Sequence, residues 1–293
     1  MKIYDCFMYF DEDMLLDIRL NILNKYVDKF VIIESKFLHS GREKKLNFNI
    51  NNFSNFKNKI VYLVMDQPPK GIEIIKSDDT VEVSNKKILD NSLKRENTQR
   101  NRLLEGIKEA NDEDLIISSD LDEIPDLKNF KHKSKISLFL QEVFYYKFNL
   151  KQPDMTWVGT RACKKKDLIS FQWLRNIKSR KYPFWRLDCF FSKKKYHNIN
   201  FIKSGGWHLT SMKDPKQIHF KLSNFMHHLE FEYSGLSVLD MEKMVAEKKI
   251  LYDHNADQKE QKYQGRQKLI KCDDNLLPEY IVRNKKKYIK WFD

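Results

Sequence analysis

Glycine and proline are scarce in this sequence, with only eight and seven copies in 293 residues. This scarcity argues against internal repeats, flexible linkers and low-complexity tracts. Hydrophobic residues nonetheless make up 41% of the chain and aromatic residues 13%, so the chain can bury a core and is not intrinsically disordered. One large domain with a C-terminal extension fits this length better than two equal domains.

Cysteine is also sparse, and its spacing excludes two kinds of site. The four cysteines, Cys6, Cys163, Cys189 and Cys272, lie far apart and form no CxxC pair. Neither a zinc knuckle nor a redox dithiol is therefore present. Cys6 and Cys189 sit in apolar runs, which is typical of reduced cysteines in a core.

Several other signals are missing. No Gly-x-Gly-x-x-Gly, P-loop or Gly-x-Ser-x-Gly motif occurs, so a dinucleotide cofactor or a nucleophilic serine has no support. No apolar run approaches the roughly 20 residues of a membrane span. Acidic residues interrupt the N-terminal segment where a signal peptide needs an apolar stretch. We therefore expect a soluble, cytoplasmic protein.

Basic residues outnumber acidic ones. The chain has 54 Lys and Arg against 41 Asp and Glu, which gives a formal net charge of +13. Such a balance predicts a polyanionic partner: nucleic acid, an anionic membrane surface or a phosphate-bearing substrate. The charge is spread along the chain, with short lysine runs at 164–166, 193–195 and 285–287. We interpret most of it as a solvated basic surface, with peripheral contact to an anionic membrane as the second interpretation.

The first 125 residues alternate strand and helix signals. Short apolar runs predict strands at 2–9, 30–33, 60–65 and 115–118. Helical spacing of apolar residues predicts helices at 14–26 and 89–110. Strands separated by helices indicate an α/β fold with a mostly parallel central sheet flanked by helices on both faces.

The second half of the chain is less regular. We predict strands at 141–150 and 185–191, and helices at 215–225 and 238–251. A basic tail follows from residue 279. This half is therefore expected to form an irregular α+β part of the same fold.

The most informative segment is an apolar strand that leads directly into four carboxylates: Asp120, Asp122, Glu123 and Asp126. In an extended chain, Asp120 and Asp122 point to the same side, about 7 Å apart. Two hard oxygen ligands suit Mn²⁺ or Mg²⁺, which would take further ligands from substrate phosphates. A nucleotide-sugar transferase needs such an ion at its leaving diphosphate. We predict Asp120 and Asp122 as metal ligands, with Asp120 also contacting the donor.

A structural alternative exists for this acidic cluster. Pro125 could begin a helix whose N-terminus favours nearby carboxylates. That explanation covers Glu123 and Asp126 well, but a strand end gains nothing from the crowding of Asp120 and Asp122. An EF-hand is disfavoured because its glycine and its ligand spacing are missing.

Two further segments carry candidate site residues. The helix before the acidic strand contains several arginines, and we predict that Arg100 points at the diphosphate while the others are solvated. In Gly205-Gly206-Trp207-His208, the glycines allow close backbone approach. Trp207 offers a stacking plane for a donor sugar, and His208 is a candidate ligand or proton donor. A lone histidine in the core is the structural alternative for His208.

Several segments together resemble glycosyltransferase family 17, whose best-known members add the bisecting N-acetylglucosamine to N-glycans. The order and rough spacing of the resembling segments hold from about residue 3 to residue 230. They are residues 10–20, residues 27–35, Ser40-Gly41, Leu46, Phe48, residues 120–125, residues 151–153, Gly206-Trp207-His208, and Ile218 with Phe220-Lys221-Leu222.

The resemblance implies a GT-A type, Rossmann-like fold, an inverting transfer and a UDP-sugar donor, which is UDP-N-acetylglucosamine in the characterised relatives. It also implies Mn²⁺ or Mg²⁺, with Asp120 and Asp122 in the D-x-D role. Glu34 lies where GT-A enzymes often contact the nucleotide base or ribose, and His208 falls in the Gly-Trp-His element. Because the Golgi members' membrane anchor has no counterpart, we expect a glycan, polysaccharide or lipid-linked oligosaccharide as acceptor.

The resemblance also sets the predicted domain boundaries. Residues 1–230 are expected to form the GT-A domain, with 1–126 as its nucleotide-sugar-binding half and 127–230 as its acceptor half. Residues 231–293 have no clear counterpart in the family, and we predict a helical, basic C-terminal extension.

An inverting transfer needs a base that takes the proton from the acceptor hydroxyl. This base must lie on the opposite face from the diphosphate, which disfavours Asp120 and Asp122. Glu230, in the segment His227-His228-Leu229-Glu230 that ends a helix beginning near Pro215, is our first candidate. Glu123 is the second, and a surface patch is the alternative for the segment around Glu230.

Two rival classes stay open at this point. A basic, Mg²⁺-dependent nucleic-acid-processing or nucleic-acid-binding protein would also use the carboxylates. It is disfavoured because the positive charge is not gathered into one stripe with aromatic residues. A carbohydrate-binding module without enzymatic activity would use Trp157, Trp185 and Trp207, but it leaves the aspartates unexplained.

Overall fold

The computed structural model describes residues 1–252 and 267–293, which form a mixed α/β structure around one large sheet. The strands are β1 (Ile3–Tyr9), β2 (Lys29–Ser35), β3 (Ile60–Met65), β4 (Leu115–Asp120), β5 (Glu123–Pro125), β6 (Ile136–Tyr145), β7 (Leu150–Lys164), β8 (Ile199–Ile202), β9 (Gly206–Thr210) and β10 (Ile270–Lys271). The helices are α1 (Asp13–Leu23), α2 (Val81–Arg102), α3 (Phe171–Asn176), α4 (Asp188–Phe191), α5 (Pro215–Leu222), α6 (His228–Ser234), α7 (Val238–Ala246) and α8 (Glu279–Arg283).

The strand order is β3-β2-β1-β4-β7-β6-β9-β5, with β8 paired to β6 and β10 paired to β7. Strands β3, β2, β1 and β4 are all parallel, and β9 and β8 run parallel to β6. Strand β7 is antiparallel to both β4 and β6 and joins the two halves of the chain. The predicted α/β fold with a mostly parallel, Rossmann-like central sheet is confirmed.

The parallel strands β1, β2 and β4 are buried on both faces, which explains why they read as continuous apolar runs. On one face, Phe7 and Ile32 pack in a core cluster with Leu16 of α1. On the other face, Val31 packs in a second cluster with Leu103, in the 3₁₀ turn Leu103–Ile107 that continues α2. The helices thus cover both sides of the sheet and leave its strand ends accessible.

The predicted strands of the first half and the helix predicted at 14–26 are present, with ends shifted by at most three residues. The helix predicted at 89–110 is α2, which begins and ends eight residues earlier. The helices predicted near 215 and 238 are also present as α5 and α7. The strand predicted at 185–191 is wrong, because this apolar stretch faces solvent and contains the short helix α4. The segment at 227–230 does not end the helix from Pro215, since α5 ends at Leu222 and α6 begins at His228.

No helix begins at Pro125, so the helical alternative for the acidic cluster is wrong. Glu123–Pro125 instead forms β5, which pairs antiparallel with β9 and places Glu123 opposite His208. The pairing requires glycine at 206, where φ is +126° and an added Cβ would lie 2.1 Å from the Ile124 carbonyl oxygen. Asp126 Oδ1 accepts a 2.9 Å bond from the Lys128 amide and serves no helix.

The C-terminal segment packs onto the first half of the chain. Ile281 of α8 and Tyr288 belong to the same core cluster as Leu16 of α1. The Tyr288 hydroxyl donates a 3.0 Å hydrogen bond to Asp17. The part of the predicted extension that the structure describes contains α8 and also β10, which pairs antiparallel with β7. Within residues 1–252 and 267–293, no helix combines the length and the apolar character needed to cross a membrane.

Candidate active site

A cavity of about 450 Å³ lies beyond the carboxyl ends of β1, β2 and β4, where Tyr9, Ser35 and Asp120 form part of its wall. Its volume is within the usual range for small-molecule sites, roughly 300–1,000 Å³. Ligands of open α/β sheets bind at this edge. Of the predicted site residues, the cavity wall holds Arg100, Asp120, Asp122, Glu123 and His208.

Asp120 ends β4 between two guanidinium groups. Its Oδ1 accepts from Arg100 Nη2 at 3.0 Å, and its Oδ2 accepts from Arg175 Nη2 at 2.9 Å. Burial alone would raise the pKa of Asp120, but Arg175 and Arg100 lower it well below its usual range. Asp120 is therefore ionised and holds both arginines at the cavity wall. Arg100, for which we predicted contact with the diphosphate, thus lies against Asp120 in the structure.

Asp122 follows in the turn after β4 and has a different environment. Its side chain is 14% exposed, and its ion pairs to His208 Nε2 and to Lys221 Nζ are both long, at 3.8 Å. Burial raises the pKa of Asp122, and the nearby Glu123 and Asp120 charges add to this, against the opposing effect of Lys221 and His208. An additional cation at Asp122 would relieve this cost.

Glu123 is fully engaged by protein donors. Its carboxylate accepts from Arg175 Nη1 at 2.8 Å, from Trp157 Nε1 at 2.6 Å and from the Asp120 amide at 2.8 Å. Burial raises the pKa of Glu123, but Arg175 outweighs this effect and the pKa is lowered. These contacts make Glu123 a poor proton acceptor and give it a positioning role for Arg175 and Trp157.

Arg175, on α3, was not singled out from the sequence. It bridges Asp120 and Glu123 and also donates to the Gly159 carbonyl at 3.1 Å. Burial would lower its pKa, but these two carboxylates raise it above its ordinary value, so the guanidinium is charged. Nothing in the local sequence distinguishes this arginine from the many others, because its two carboxylate partners lie more than 50 residues away in the chain.

Two lysines complete the charged part of the wall. Lys221 Nζ lies 3.0 Å from Glu12 Oε1, and Lys213 pairs with Asp11. Burial would raise the pKa of Glu12, but Lys221 and Lys213 lower it to about 2. Lys221 occurs in the resembling segment at 218–222, yet the sequence alone gave it no role. The cavity therefore presents cations from both halves of the chain.

The tryptophan that lines this cavity is Trp157, not Trp207. Successive residues of a strand face opposite sides, and in β9 it is His208 that lines the cavity, stacked on Trp157 with ring centroids 5.3 Å apart. Trp207 packs against the core, and its Nε1 donates to the Leu276 carbonyl at 2.7 Å. Among the described residues, His208 Nδ1 is buried without a hydrogen-bond partner.

Glu34 lies outside the cavity wall. It is fully buried and accepts from the Asn47 amide at 2.8 Å, the Phe48 amide at 3.1 Å and the Tyr62 hydroxyl at 2.9 Å, and it also pairs with Lys44. These contacts hold the segment that brings Lys44 to the wall. Glu34 thus contacts the cavity wall through Lys44 rather than lining it.

Glu230 is not part of the cavity wall either, and its partner His227 is the residue that reaches the cavity. His227 Nδ1 and Glu230 Oε1 are 3.0 Å apart. A carboxylate in this position fixes the orientation of an imidazole ring. The structure therefore presents a histidine backed by a glutamate where the sequence suggested the glutamate alone.

A comparison with protein-family models matches residues 1–162 to glycosyltransferase family 17. The match covers more than half of the chain and includes the parallel strands with Asp120 and Asp122. This chain belongs to glycosyltransferase family 17. A comparison with curated proteins gives no match.

Family membership decides between the three classes that the sequence left open, in favour of a glycosyltransferase. The matched range ends before Arg175, His208, Lys221 and His227. The family match therefore says nothing about these four residues of the family 17 chain. They are assigned to the site because they line the cavity. The nucleic-acid-processing alternative gains no support from the comparison.

The side chains at the cavity fit a divalent metal only in part. Within the described ranges, no group of three or more His, Cys, Asp or Glu side chains is arranged to hold a metal. Asp120 and Asp122 supply two carboxylates, and Mg²⁺ is commonly bound through one or two carboxylates plus substrate phosphates. Both Asp120 oxygens accept hydrogen bonds from arginines, whereas Lys221 Nζ lies 3.8 Å from Asp122, so Asp122 is the less engaged of the two carboxylates.

Proposed function

We propose that this chain is an inverting, divalent-metal-dependent glycosyltransferase that moves N-acetylglucosamine from UDP-N-acetylglucosamine to a hydroxyl of a glycan acceptor. The observation that carries the proposal is the juxtaposition of Asp120 and Asp122 with Arg100, Arg175 and Lys221 in one cavity at the strand ends. Inversion, the uridine diphosphate and the sugar follow from the resemblance to characterised family members.

The cations support a site for the donor diphosphate. Guanidinium groups bind phosphate oxygens through paired hydrogen bonds, and Asp120 holds Arg100 and Arg175 side by side. Charge develops on the leaving diphosphate as the glycosidic bond breaks. Fixed cations in a partly buried cavity stabilise that charge more than water does. Arg100, Arg175 and Lys221 are the residues to which we assign this role.

Mn²⁺ or Mg²⁺ would be held by Asp122 with Asp120, and when bound it would supply further neutralisation of the leaving diphosphate. Asp122 then gains the close cation that its two ion pairs, at 3.8 Å, do not provide. Lys221 adds a positive charge on the same side of the cavity, since it lies between Glu12 and Asp122.

For the proton acceptor we propose His227, oriented by Glu230. An inverting transfer needs a group that accepts the proton of the acceptor hydroxyl. Glu230 was our first candidate, but His227 is its partner on the cavity wall. A histidine held by a carboxylate is a recurrent arrangement for general bases. Glu123, the second candidate, already accepts bonds from Arg175 and Trp157.

Trp157 is the proposed platform for a sugar ring, since aromatic faces bind sugars and this one lies on the wall against His208. The acceptor is then a glycan, a polysaccharide or a lipid-linked oligosaccharide. We propose that it is modified in the cytoplasm.

The decisive experiment measures nucleoside diphosphate release by the purified full chain from a panel of nucleotide-sugars, with Mn²⁺ and with a chelator. We expect slow UDP release from UDP-N-acetylglucosamine that needs the metal and is lost in Asp122→Ala. Asp126→Ala is the matched control, because Asp126 belongs to the same acidic segment but binds the Lys128 amide. Equal release by Asp122→Ala, or in chelator, would overturn the metal assignment. Nucleoside diphosphate release only from a different nucleotide-sugar would overturn the assignment of N-acetylglucosamine as the transferred sugar.

A further inference from the structure

Residues 178–195 form an exposed segment that the proposed function does not use. Large apolar side chains on it are between 65% and 90% exposed: Phe184, Trp185, Leu187, Phe190 and Phe191. Single exposed apolar residues are ordinary on a protein surface, but a cluster of this kind marks an interaction site.

The same segment is strongly basic. It carries seven Lys or Arg and one Asp, a net formal charge of +6, in the sequence KSRKYPFWRLDCFFSKKK. The one acidic residue, Asp188, is paired with Arg186 and with Lys195, both at 2.7 Å. The lysines and arginines at 178, 180, 181, 186, 193 and 194 are all exposed. Exposed rings and cations thus occupy one continuous stretch of chain, which we call the basic-aromatic segment.

The basic-aromatic segment is held in a defined shape rather than being a loose tail. The Lys178 amide donates to the Lys194 carbonyl at 2.8 Å and closes its base. Trp173 Nε1 of α3 donates to the Lys193 carbonyl at 2.7 Å. Cys189 is buried beneath the exposed rings, within α4. The apolar side chains are therefore presented outward by an anchored scaffold.

We propose that the basic-aromatic segment docks this protein on an anionic lipid bilayer. Tryptophan and phenylalanine with surrounding lysine and arginine are the composition of elements that lie at the membrane interface. The rings enter the boundary between headgroups and acyl chains, and the cations bind anionic headgroups. This inference does not rest on the proposed sugar transfer.

Charge complementarity selects this partner over a second copy of the chain. Two segments of +6 would repel each other on a chain whose net charge is already +13. Nucleic acid would satisfy the cations and stack on the rings, but it offers no apolar environment for Leu187 and for phenylalanine side chains up to 90% exposed. A bilayer satisfies both the charge and the apolar surface.

The segment is joined directly to the cavity, because Arg175 of the wall lies three residues before Lys178. A membrane bound at the basic-aromatic segment would therefore hold α3 close to the bilayer. This arrangement suits an acceptor that is itself attached to a lipid.

The test is cosedimentation of the full chain with vesicles of phosphatidylcholine alone and of phosphatidylcholine mixed with phosphatidylglycerol. We expect binding to the mixed vesicles and little binding to the neutral ones. Phe184→Ser, Trp185→Ser and Phe191→Ser together should weaken binding about tenfold or more. Arg180→Gln, Lys193→Gln and Lys194→Gln together should weaken it about a hundredfold, at roughly fivefold per cation. Salt of about 1 M should remove most of the electrostatic part.

Matched controls carry the same changes elsewhere on the surface. Ile74→Ser, Val81→Ser and Leu239→Ser remove exposed apolar side chains, and Lys57→Gln, Lys70→Gln and Lys86→Gln remove exposed cations. These controls should bind as the parent chain does. UDP release without lipid should be unchanged in every variant, which separates failure of docking from failure of the sugar transfer.

Three results would overturn the proposal. The first is absence of binding to the mixed vesicles at low salt. The second is parent-like binding by the apolar triple variant, since this would show non-specific adsorption of a basic chain. The third is binding of a single-stranded RNA oligonucleotide or of poly-glutamate, lost in the segment variants, without binding to vesicles.

Discussion

Arg175 joins the two acidic residues at positions 120 and 123 through opposite ends of its guanidinium group. Nη2 donates to Asp120 Oδ2 at 2.9 Å, and Nη1 donates to Glu123 Oε2 at 2.8 Å. The first residue of the D-x-D motif and the first residue of β5 are thereby fixed to α3. One residue outside the family-matched range thus orients two carboxylates of the cavity wall.

Replacement of Arg175 by lysine should therefore lower donor turnover. A lysine ammonium is a point charge and cannot hold two carboxylates in a planar fork. We expect kcat/KM for UDP release to fall about a hundredfold, by analogy with the loss of one preorganised donor. The melting temperature, measured by circular dichroism, should drop modestly.

The control for that change is Arg102→Lys. Arg102 lies at the end of α2 and pairs with Glu105 outside the cavity wall. Its replacement should leave kcat/KM at the parent value. Parent-like kcat/KM in Arg175→Lys would show that the guanidinium bridge is not needed for donor turnover.

His227 and Glu230 should differ in how strongly they affect the transfer step. We expect His227→Ala to lower kcat for sugar transfer roughly a hundredfold or more, as loss of a general base does, with a small change in KM for the donor. Glu230→Gln keeps a hydrogen-bond acceptor 3.0 Å from the ring in the same position, so its loss should be smaller. Transfer to a hydroxyl acceptor must be measured under single-turnover conditions.

Glu232→Gln is the control for this pair, because Glu232 is an exposed residue of the same helix α6. It should transfer sugar at the parent rate. A larger loss of kcat in Glu230→Gln than in His227→Ala would make the carboxylate itself the base, as the sequence suggested.

The sheet was predictable because parallel strands covered on both faces are continuous apolar runs, as in Phe30–Ile33. The stretch at 185–191 has a similar composition but is exposed, and composition does not reveal which side chains face solvent. Solvent exposure of this apolar stretch makes the strand prediction wrong. The same exposed side chains form the apolar part of the basic-aromatic segment.

The predicted residues that line the cavity are those of the segment Asp120 to Glu123, together with Arg100 and His208. Arg175 and Lys221 could not be selected among 54 Lys and Arg, because their partners are distant in sequence. Trp157 and Trp207 could be distinguished only by the strand register, which turns His208 to the cavity and Trp207 to the core.

Glu12 should make folding sensitive to acid. Burial would raise its pKa, but Lys221 and Lys213 lower it to about 2 from an ordinary value of 4.5. A lowered folded-state pKa stabilises the fold above the unfolded-state value and loses this contribution as pH falls through the folded-state value. The free energy of unfolding should therefore fall between about pH 4.5 and about pH 2, by roughly 3 kcal/mol.

Urea unfolding of Glu12→Gln across this pH range checks the assignment. The variant should show a shallower loss of stability on acidification, while Glu109→Gln, an exposed glutamate, should follow the parent curve. An identical acid dependence in Glu12→Gln and the parent would assign the loss to other carboxylates.

Gly206→Ala should be the most damaging of the small substitutions, because two independent constraints meet there. The residue has φ of +126°, and an added Cβ would lie 2.1 Å from the Ile124 carbonyl oxygen and 2.7 Å from the Asp126 amide nitrogen. Backbone strain and steric overlap each cost about 1–3 kcal/mol. Gly235→Ala isolates the first constraint, since Gly235 has φ of +66° with open space around it, and it should cost about 1 kcal/mol.

Because β5 and β9 pair through Gly206, the Gly206→Ala variant should also shift His208 relative to Glu123 and lower kcat/KM for UDP release in the folded fraction. Equal stabilities of the two alanine variants in urea would show that the β5–β9 pairing adjusts to the extra methyl group.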